Sequence, residues 1–287
     1  MKISRKGYYS NISVQFEIIH QLIHRETMFI PYIKDEAGKW KVNLPIRWIN
    51  ASYIDMLKRH WQQFGFLEKD MNLYHSLATY KNFPCFSYVW RYKYQQQQIW
   101  LKKFQEYITK YDLFLETDSQ DLSKSVLRDG KTIKLFLDEY KIKYCVSFSG
   151  SKGLHFIVSY EEFTHLGLPV VDVKGVYFDI VNLFKLLAQR IKAILGCDTI
   201  DTSVQDIKRV CKAKYSWDVK SGKIALPLTD DQLFNFNLEI VEPINVLKAG
   251  VHKRGLLYRN TDVPKEQREQ YIIKLFKDLD IDLEKYK

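Results

Sequence analysis

The run YCVSFSGSKGLHFIVSY, residues 144–160, sets a small polar turn between two β-rich segments. The turn is Ser149-Gly150-Ser151-Lys152-Gly153, and His155 follows two residues later. Glycines let successive backbone N–H groups converge into an anion-binding nest, and a lysine beside such a nest suits a phosphate chain. Upstream, Glu116 and Asp118 stand two apart at the end of the apolar run 111–115. That spacing puts both carboxylates on one face of a strand. Neighbouring carboxylates repel each other, and a divalent cation between them removes the repulsion and adds a phosphate-binding charge. Asp201, in CDTIDTSVQDIKRVCK, is a third acid, with Asp198 and Asp206 as rivals; Lys208, Arg209, Lys212 and Lys214 follow it. Singly, these are a solvated strand end, a hairpin turn and an exposed basic face. Together they supply what nucleotidyl transfer requires: carboxylates for Mg2+ or Mn2+, amides for a triphosphate, and cations to neutralise departing pyrophosphate.

The turn admits other readings. A P-loop would open a helix as GxxxxGK[ST], whereas Gly153 is followed by the strand-like Leu-His-Phe-Ile-Val. A GXXG clamp, here Gly150 to Gly153, belongs between helices, and both flanks are β-like. A plain hairpin turn with an incidental lysine stays open at this level.

The elements that would position these groups follow from hydrophobic periodicity. A helix is expected over 13–26, with Phe16, Ile19, Leu22 and Ile23 as its apolar stripe. Strands are expected near 28–33 and 84–90, with a less regular region between them. The QQQQ tract at 95–98 sits in a segment that reads as a polar-faced helix, 97–110, with the tract on its solvent side; a buried strand over 111–115 and a helix through TIKLFLDEYKI are expected next. KYCVSFS and LHFIVSY read as strands joined by the turn. The long helix VYFDIVNLFKLLAQRIKAILG carries Val176, Ile180, Leu183, Leu187, Ile191 and Ile194 on one stripe and ends at Gly196. KIALPL reads as a strand. Asp262 and Pro264 read as the N-cap and first turn of a last helix over 264–279. Alternating strands and helices in the middle of the chain predict an α/β core. With no Pro/Gly/Ser linker, one compact two-lobed body is expected: 1–110, the motif-bearing 111–230, and a helical 231–287.

Composition narrows the partners. The 287 residues are 46% apolar, enough for a core, and carry a formal net charge of +10. That excess favours a polyanion. No apolar run approaches the roughly 18–20 residues of a bilayer span, and the first twenty residues lack an apolar signal core. No membrane role and an intracellular location are therefore expected. Cys85, Cys145, Cys197 and Cys211 are scattered with no CxxC pair, which argues against a zinc knuckle and for free thiols in a reducing compartment. The aromatic share of 15% leaves rings to stack on bases. His20, His24, His60, His75, His165 and His252 lack the context of His155.

The Ser149-Gly150-Ser151-Lys152-Gly153-Leu154-His155 turn resembles the nucleotide-binding SGxxGxH motif of the archaeo-eukaryotic primase superfamily, which comprises the catalytic small subunits of DNA primases and the primase-polymerases. LFLETD, with Glu116 and Asp118, is similar to the family's DxD motif, and Asp201 in TIDTSVQDIKRV to its third motif. YYSNISVQFEIIHQLIHRETMFI, NLPIRW and LYHSLATYKNFPCFSY resemble the segments before the first motif. Arg209, Lys212 and KSGKIALPL follow the family's order after the third, so the resemblance covers residues 7 to about 230.

It implies an α/β primase small-subunit fold, two-lobed with mixed sheets and an RRM-like catalytic half. It also implies template-directed nucleotidyl transfer on DNA, with Glu116, Asp118 and Asp201 holding Mg2+ or Mn2+. Ser149, Ser151, Lys152, His155, Arg209 and Lys212 would hold a nucleoside triphosphate. Implied partners are a DNA template and primer and a primase large subunit. Glu116 departs from the first aspartate, and Asp218 stands before the KSG turn, where it would repel a triphosphate if it pointed inward. The family's frequent zinc insertion is missing. A stand-alone or mobile-element member, an end-joining or repair polymerase of the same superfamily, and a non-catalytic nucleic-acid-binding subunit are the alternatives.

Overall fold

The computed structural model describes residues 3–49, 51, 53–81, 107–168, 179–251 and 258–286. The first helices are short. Asn11 caps α2 (Ile12–Leu22) by accepting from the amides of Ser13 and Val14, after a five-residue α1 (Arg5–Tyr9). The helix expected over 13–26 therefore stops at Leu22, and His24 adopts a positive φ of 59° before the strand begins. Its buried stripe is Val14, Ile18, Ile19 and Leu22. Phe16 and Ile23, expected inside, are 47% and 38% exposed, because α2 meets the core through the 14/18/22 row.

A five-stranded antiparallel sheet follows. β1 (Thr27–Lys34), β2 (Trp40–Val42), β3 (Ile46–Ile49), β4 (Met71–Ser76) and β10 (Val210–Lys212) are arranged β10-β4-β1-β2, with β3 also on β1. The region expected to be irregular thus holds most of a sheet, and α3 (Ile54–Phe64) connects β3 to β4. β5 (Ala78–Tyr80) pairs with β6 (Ile108–Tyr111). The described end of the helix expected over 97–110 is strand instead, since Ile-Thr-Lys-Tyr finds a ladder on β5.

The second half of the fold is built around a three-stranded sheet. β7 (Leu113–Glu116), β8 (Tyr144–Phe148) and β9 (Leu154–Val158) are arranged β7-β9-β8, all antiparallel. The run 111–115 is split by Asp112, whose buried carboxylate holds Arg25 at 2.5 Å, so the strand shifts onto Glu116. A π-helical turn, Ser123–Arg128, leads into α4 (Asp129–Glu139), which ends before the 142 expected, with Lys141 at φ 50°. The long helix is α5 (Asp179–Leu195); Ile180, Leu183, Leu187 and Ile191 are buried, while Ile194, near its end, is 58% exposed. Gly196 follows at φ 61°.

Residues 199–201 then run beside β7. Thr117 bridges Ile200, Asp118 N donates to Thr199 O and Asp201 N to Glu116 O, both at 2.9 Å. The order is (199–201)-β7-β9-β8, with α4 and α5 as the crossovers: an RRM-like half whose last strand is reduced to a bridge. KIALPL, expected as a strand, is held by isolated bridges, Ser147 to Pro227 and Trp217 to Ile224. Proline cannot donate to a ladder, which keeps this segment at an edge.

Among the described residues three shorter α-helices follow, α6 (Asp230–Phe234), α7 (Pro243–Ala249) and α8 (Lys265–Asp278), and then a 3₁₀ turn, Leu283–Tyr286. Pro264, not Asp262, occupies the N-cap of α8. The strand expected near 84–90, the QQQQ tract, Cys85, Val176 and His252 lie outside the described residues. Cys145, Cys197 and Cys211 are free and buried. Among the described residues no helix is long and apolar enough to cross a membrane. One contiguous cluster of buried apolar side chains runs from Tyr8 to Ile281 and underlies both halves.

Candidate active site

The turn 149–153 closes the β8–β9 hairpin, with Phe148 opposite Leu154. Its shape is set from within. Ser149 Oγ accepts from the amides of Ser151, Lys152 and Gly153 at 3.2–3.3 Å, and Ser149 N donates to Gly153 O at 2.9 Å. Gly150 has φ 89°, which only glycine adopts cheaply. At Gly153 a Cβ would lie 1.8 Å from Thr117 O, so the turn presses directly on the residue between the two acids. Leu154 N donates to Thr117 Oγ1 at 2.9 Å and Thr117 N to Leu154 O at 3.0 Å. The turn and the acidic strand end are thus one welded unit. The amides expected to cradle a phosphate are turned onto the serine of the turn itself.

Glu116 and His155 are direct cross-strand partners on β7 and β9, with His155 Nε2 3.2 Å from Glu116 Oε1. Burial holds the His155 imidazole below its ordinary value, and Lys214 and Lys212 push the same way against the opposing pull of Glu116. It is therefore neutral near pH 7 and donates its Nε2–H to Glu116. Burial alone would raise the Glu116 carboxyl, but the hydrogen bond and electrostatic pull of His155, with the Arg209 charge, together outweigh it and keep the group below the usual carboxylate range. His155 Nδ1 is left buried without a hydrogen-bond partner. Asp118 is 42% exposed, and Lys152 Nζ approaches it at 3.6 Å.

Asp201 lies across the short ladder from Glu116 and raises the latter's carboxyl electrostatically. Its own Oδ1 accepts from Ser203 N at 2.8 Å. The three acids share one ladder, but among the described residues no group of three Asp, Glu, His or Cys side chains is assembled that could hold a metal ion. The donor set is nonetheless one that Mg2+ or Mn2+ prefers, carboxylate oxygens on a strand end, with Glu116 held ionised.

The opposite wall belongs to the five-stranded sheet. Lys212 on β10 pairs with Tyr74 on β4, its ammonium 5.7 Å from the centre of the Tyr74 ring. Asp218, in the loop after β10, does point inward. It is 3% exposed and forms a buried ion pair with Lys212. It also accepts from Asn72 Nδ2 at 3.0 Å and from the amides of Lys220 and Ser221. Burial opposes its ionisation, but the Lys212 charge and the hydrogen bonds from Lys212 and Ser221 together outweigh this and hold it below the usual carboxylate range. Asp218 thus neutralises Lys212 rather than confronting a triphosphate. Ser221 Oγ donates to Gly150 O and ties this wall to the turn.

Between the walls lies a cleft of about 180 Å³, lined by Tyr74, Glu116, Thr117, Asp118, Ser149, Ser151, Lys152, His155 and Lys212. It is smaller than the about 300–1,000 Å³ of pockets that enclose whole drug-sized ligands. It suits a phosphate chain with its counter-ions, the rest of a nucleotide lying outside. Seven of the nine residues singled out from the sequence line it. Asp201 stands behind Glu116. Arg209 donates to the carbonyls of Val204 and Ser203 at 3.0 Å and reaches the acids only through its field, lowering Glu116.

Sequence reasoning missed Tyr74, which stands in the quoted LYHSLATY segment, and Thr117, hidden between the acids. It also missed Asp129. This residue, 1% exposed at the start of α4, accepts from Thr199 N at 3.0 Å and Thr199 Oγ1 at 2.6 Å, and so fixes the strand bearing Asp201. No sequence signal separates Asp129 from an ordinary helix-start acid.

No protein-family model matches the sequence, nor does any curated protein. Among solved structures the chain is similar to the polymerase domain from Mycobacterium tuberculosis Ligase D in complex with DNA. The two share 13% identity and a TM-score of 0.50, over 95% of this chain and 90% of that one. It also matches the archaeo-eukaryotic primase domain of the cyanophage S-2L primase-polymerase, with 13% identity and TM-score 0.38 over 84% and 96%. A third is the catalytic domain of primase RepB' in complex with initiator DNA, with 11% identity and TM-score 0.37 over 93% and 98%. The first likeness fixes the fold: a mixed α/β body with curled antiparallel sheets, like that of the Ligase D polymerase domain.

Proposed function

We propose that this chain is a template-directed nucleotidyltransferase that synthesises or extends primers on DNA, either as the catalytic small subunit of a primase or as a primase-polymerase. The observation that carries the reading is the meeting of Glu116, Asp118, Lys152 and His155 in one cleft between the two sheets. In this reading Glu116, Asp118 and Asp201 hold Mg2+ or Mn2+. The bound ions supply Lewis acidity toward the 3′-hydroxyl and the departing pyrophosphate.

The chain's own groups bind and orient. Lys152, whose ammonium among the described residues meets only the exposed Asp118 carboxylate, swings onto the triphosphate. His155 holds Glu116 ionised through its Nε2, while Ser151 lines the same path. Lys212 presents a cation already shared with Asp218, so it shapes the wall more than it attracts charge. Arg209 biases the acids from behind. A DNA template and primer and nucleoside triphosphates are the partners, and a large subunit is the further partner the small-subunit form requires. The chemistry is positioning with charge stabilisation.

The test is incorporation of labelled nucleotides on a single-stranded template with Mn2+. Asp118→Ala is expected to lower it at least about 100-fold, the scale of losing one charge-stabilising group, while the unfolding midpoint stays put. Full activity in that variant would remove the acids from the site. An end-joining or repair polymerase is the second reading, favoured by the shared fold with the polymerase domain of Ligase D. Synthesis without a primer separates a primase from it.

A further inference from the structure

We infer that one face of the five-stranded sheet carries single-stranded nucleic acid to the cleft. The inference rests on the polymerase reading and concerns the strand that would serve as template. Register places the residues. Lys212 is opposite Tyr74 and Tyr74 opposite Met28, so all three share a face. Tyr32 and Lys34 lie four and six residues along β1 from Met28 and so face the same way. Lys34 is opposite Trp40, and Tyr32 opposite Val42. The face therefore runs from the cleft at Lys212 and Tyr74 through Tyr32 to Lys34 and Trp40 at the end of the β1–β2 hairpin. The Met28-to-Lys34 stretch spans about 20 Å of strand.

Each station pairs a ring with a lysine. Lys212 Nζ stands 5.7 Å from the Tyr74 ring centre, Lys220 Nζ 4.9 Å from that of Tyr32, and Lys34 Nζ 4.7 Å from that of Trp40. The stations differ in charge. Lys212 is neutralised by Asp218, whereas Lys34 and Lys220 are exposed and have no carboxylate partner among the described residues. The outer stations thus offer phosphate-seeking charge and the innermost one does not. The Tyr32 phenol is raised by burial and by the neighbouring Tyr74, so the outer track adjoins the cleft wall. Val42 on the same face is 57% exposed. Rings at intervals with a cation over each are what an unpaired strand uses: bases stack on rings while phosphates meet the lysines. A chain with net charge +10 complements that strand.

The experiment is fluorescence anisotropy of a labelled oligo(dT) with the full chain across a salt series, beside duplex DNA of the same length. Trp40→Ala is expected to weaken oligo(dT) binding about 5- to 100-fold. Lys34→Ala, and Lys220→Ala from a separate loop, should each flatten the slope of log affinity against log salt by about 0.7, and Lys34→Arg should keep it. Nucleoside triphosphate binding, read by thermal shift with Mn2+, should stay unchanged in all four. Unaltered oligo(dT) affinity and slope in these variants would overturn the inference and give the face to a protein partner. An equal loss for duplex DNA would overturn its single-strand character. Weakened oligo(dT) binding in a chain whose wild type incorporates no nucleotide would support the track and remove the polymerase reading instead.

Discussion

The two walls of the cleft handle charge in opposite ways. On the β4–β10 wall the charge that lines the cleft is spoken for: Lys212 is buried against Asp218, and Asn72 and two backbone amides complete the carboxylate. On the β7–β9 wall the charged ends are half-open. Asp118 and Lys152 are 42% and 46% exposed and 3.6 Å apart. A buried pair is a structural commitment, because removing one partner strands the other in a low-dielectric interior. An exposed pair is held weakly and is easily exchanged for a ligand. The difference sets a wall closed by its own ion pair against one whose charges are open to a ligand.

Substitutions can break that contrast. The largest effect is expected from Lys212→Met, which leaves Asp218 buried and unpaired. Loss of about 3–5 kcal/mol in urea unfolding is expected, most of it recovered in Lys212→Met/Asp218→Asn. A loss within error would mean that this wall is not ionically closed.

Next comes Gly153→Ala, which drives a Cβ into the Thr117 carbonyl and must part the turn from the acidic strand end. Here roughly 2–4 kcal/mol should be lost, together with nucleotide incorporation. The control is Gly222→Ala, where the φ of 73° is strained but nothing lies within 4 Å of the added carbon; its cost should be near 1–2 kcal/mol. Equal midpoints for the two variants would show that the close approach at Gly153 carries no weight.

The smallest effect on stability belongs to Lys152→Met, under about 1 kcal/mol. The same variant should raise the apparent KM for nucleotide about tenfold or more, on the scale of one charged hydrogen bond. A variant with unchanged KM would take Lys152 off the triphosphate path. Lys212 and Lys152 would then differ only in burial, and the contrast would lose its functional half.

The same asymmetry explains what could be read from the chain alone. The β7–β9 wall is local: an acid pair at a strand end, a turn and a histidine lie within forty residues, and strand periodicity aims them. The β4–β10 wall joins residues 72–74 to 212–221, and no periodicity announces that Tyr74 will face Lys212. Asp218 could be flagged as a charge in an awkward place, but only the folded chain supplies its partner. The helix stripe at 13–26 failed for a related reason. Several faces of that segment are apolar, and tertiary packing chose the one bearing Val14 and Ile18 over the one bearing Phe16. The 97–110 helix was overruled at its end by the ladder that β5 offers. Asp201 was singled out by its order after the long helix, yet Asp129, which holds the strand behind it, carries no local mark.

Ser149 Oγ gathers three amides of its own turn. A loop that satisfies its donors internally has the same contour before a guest arrives and after it departs. Its ordering is completed during folding rather than at each encounter. Successive additions along a strand would then meet a rigid bracket, and the pace of repeated cycles would fall to the movements of Lys152 and of the nucleic acid rather than to reshaping of the hairpin.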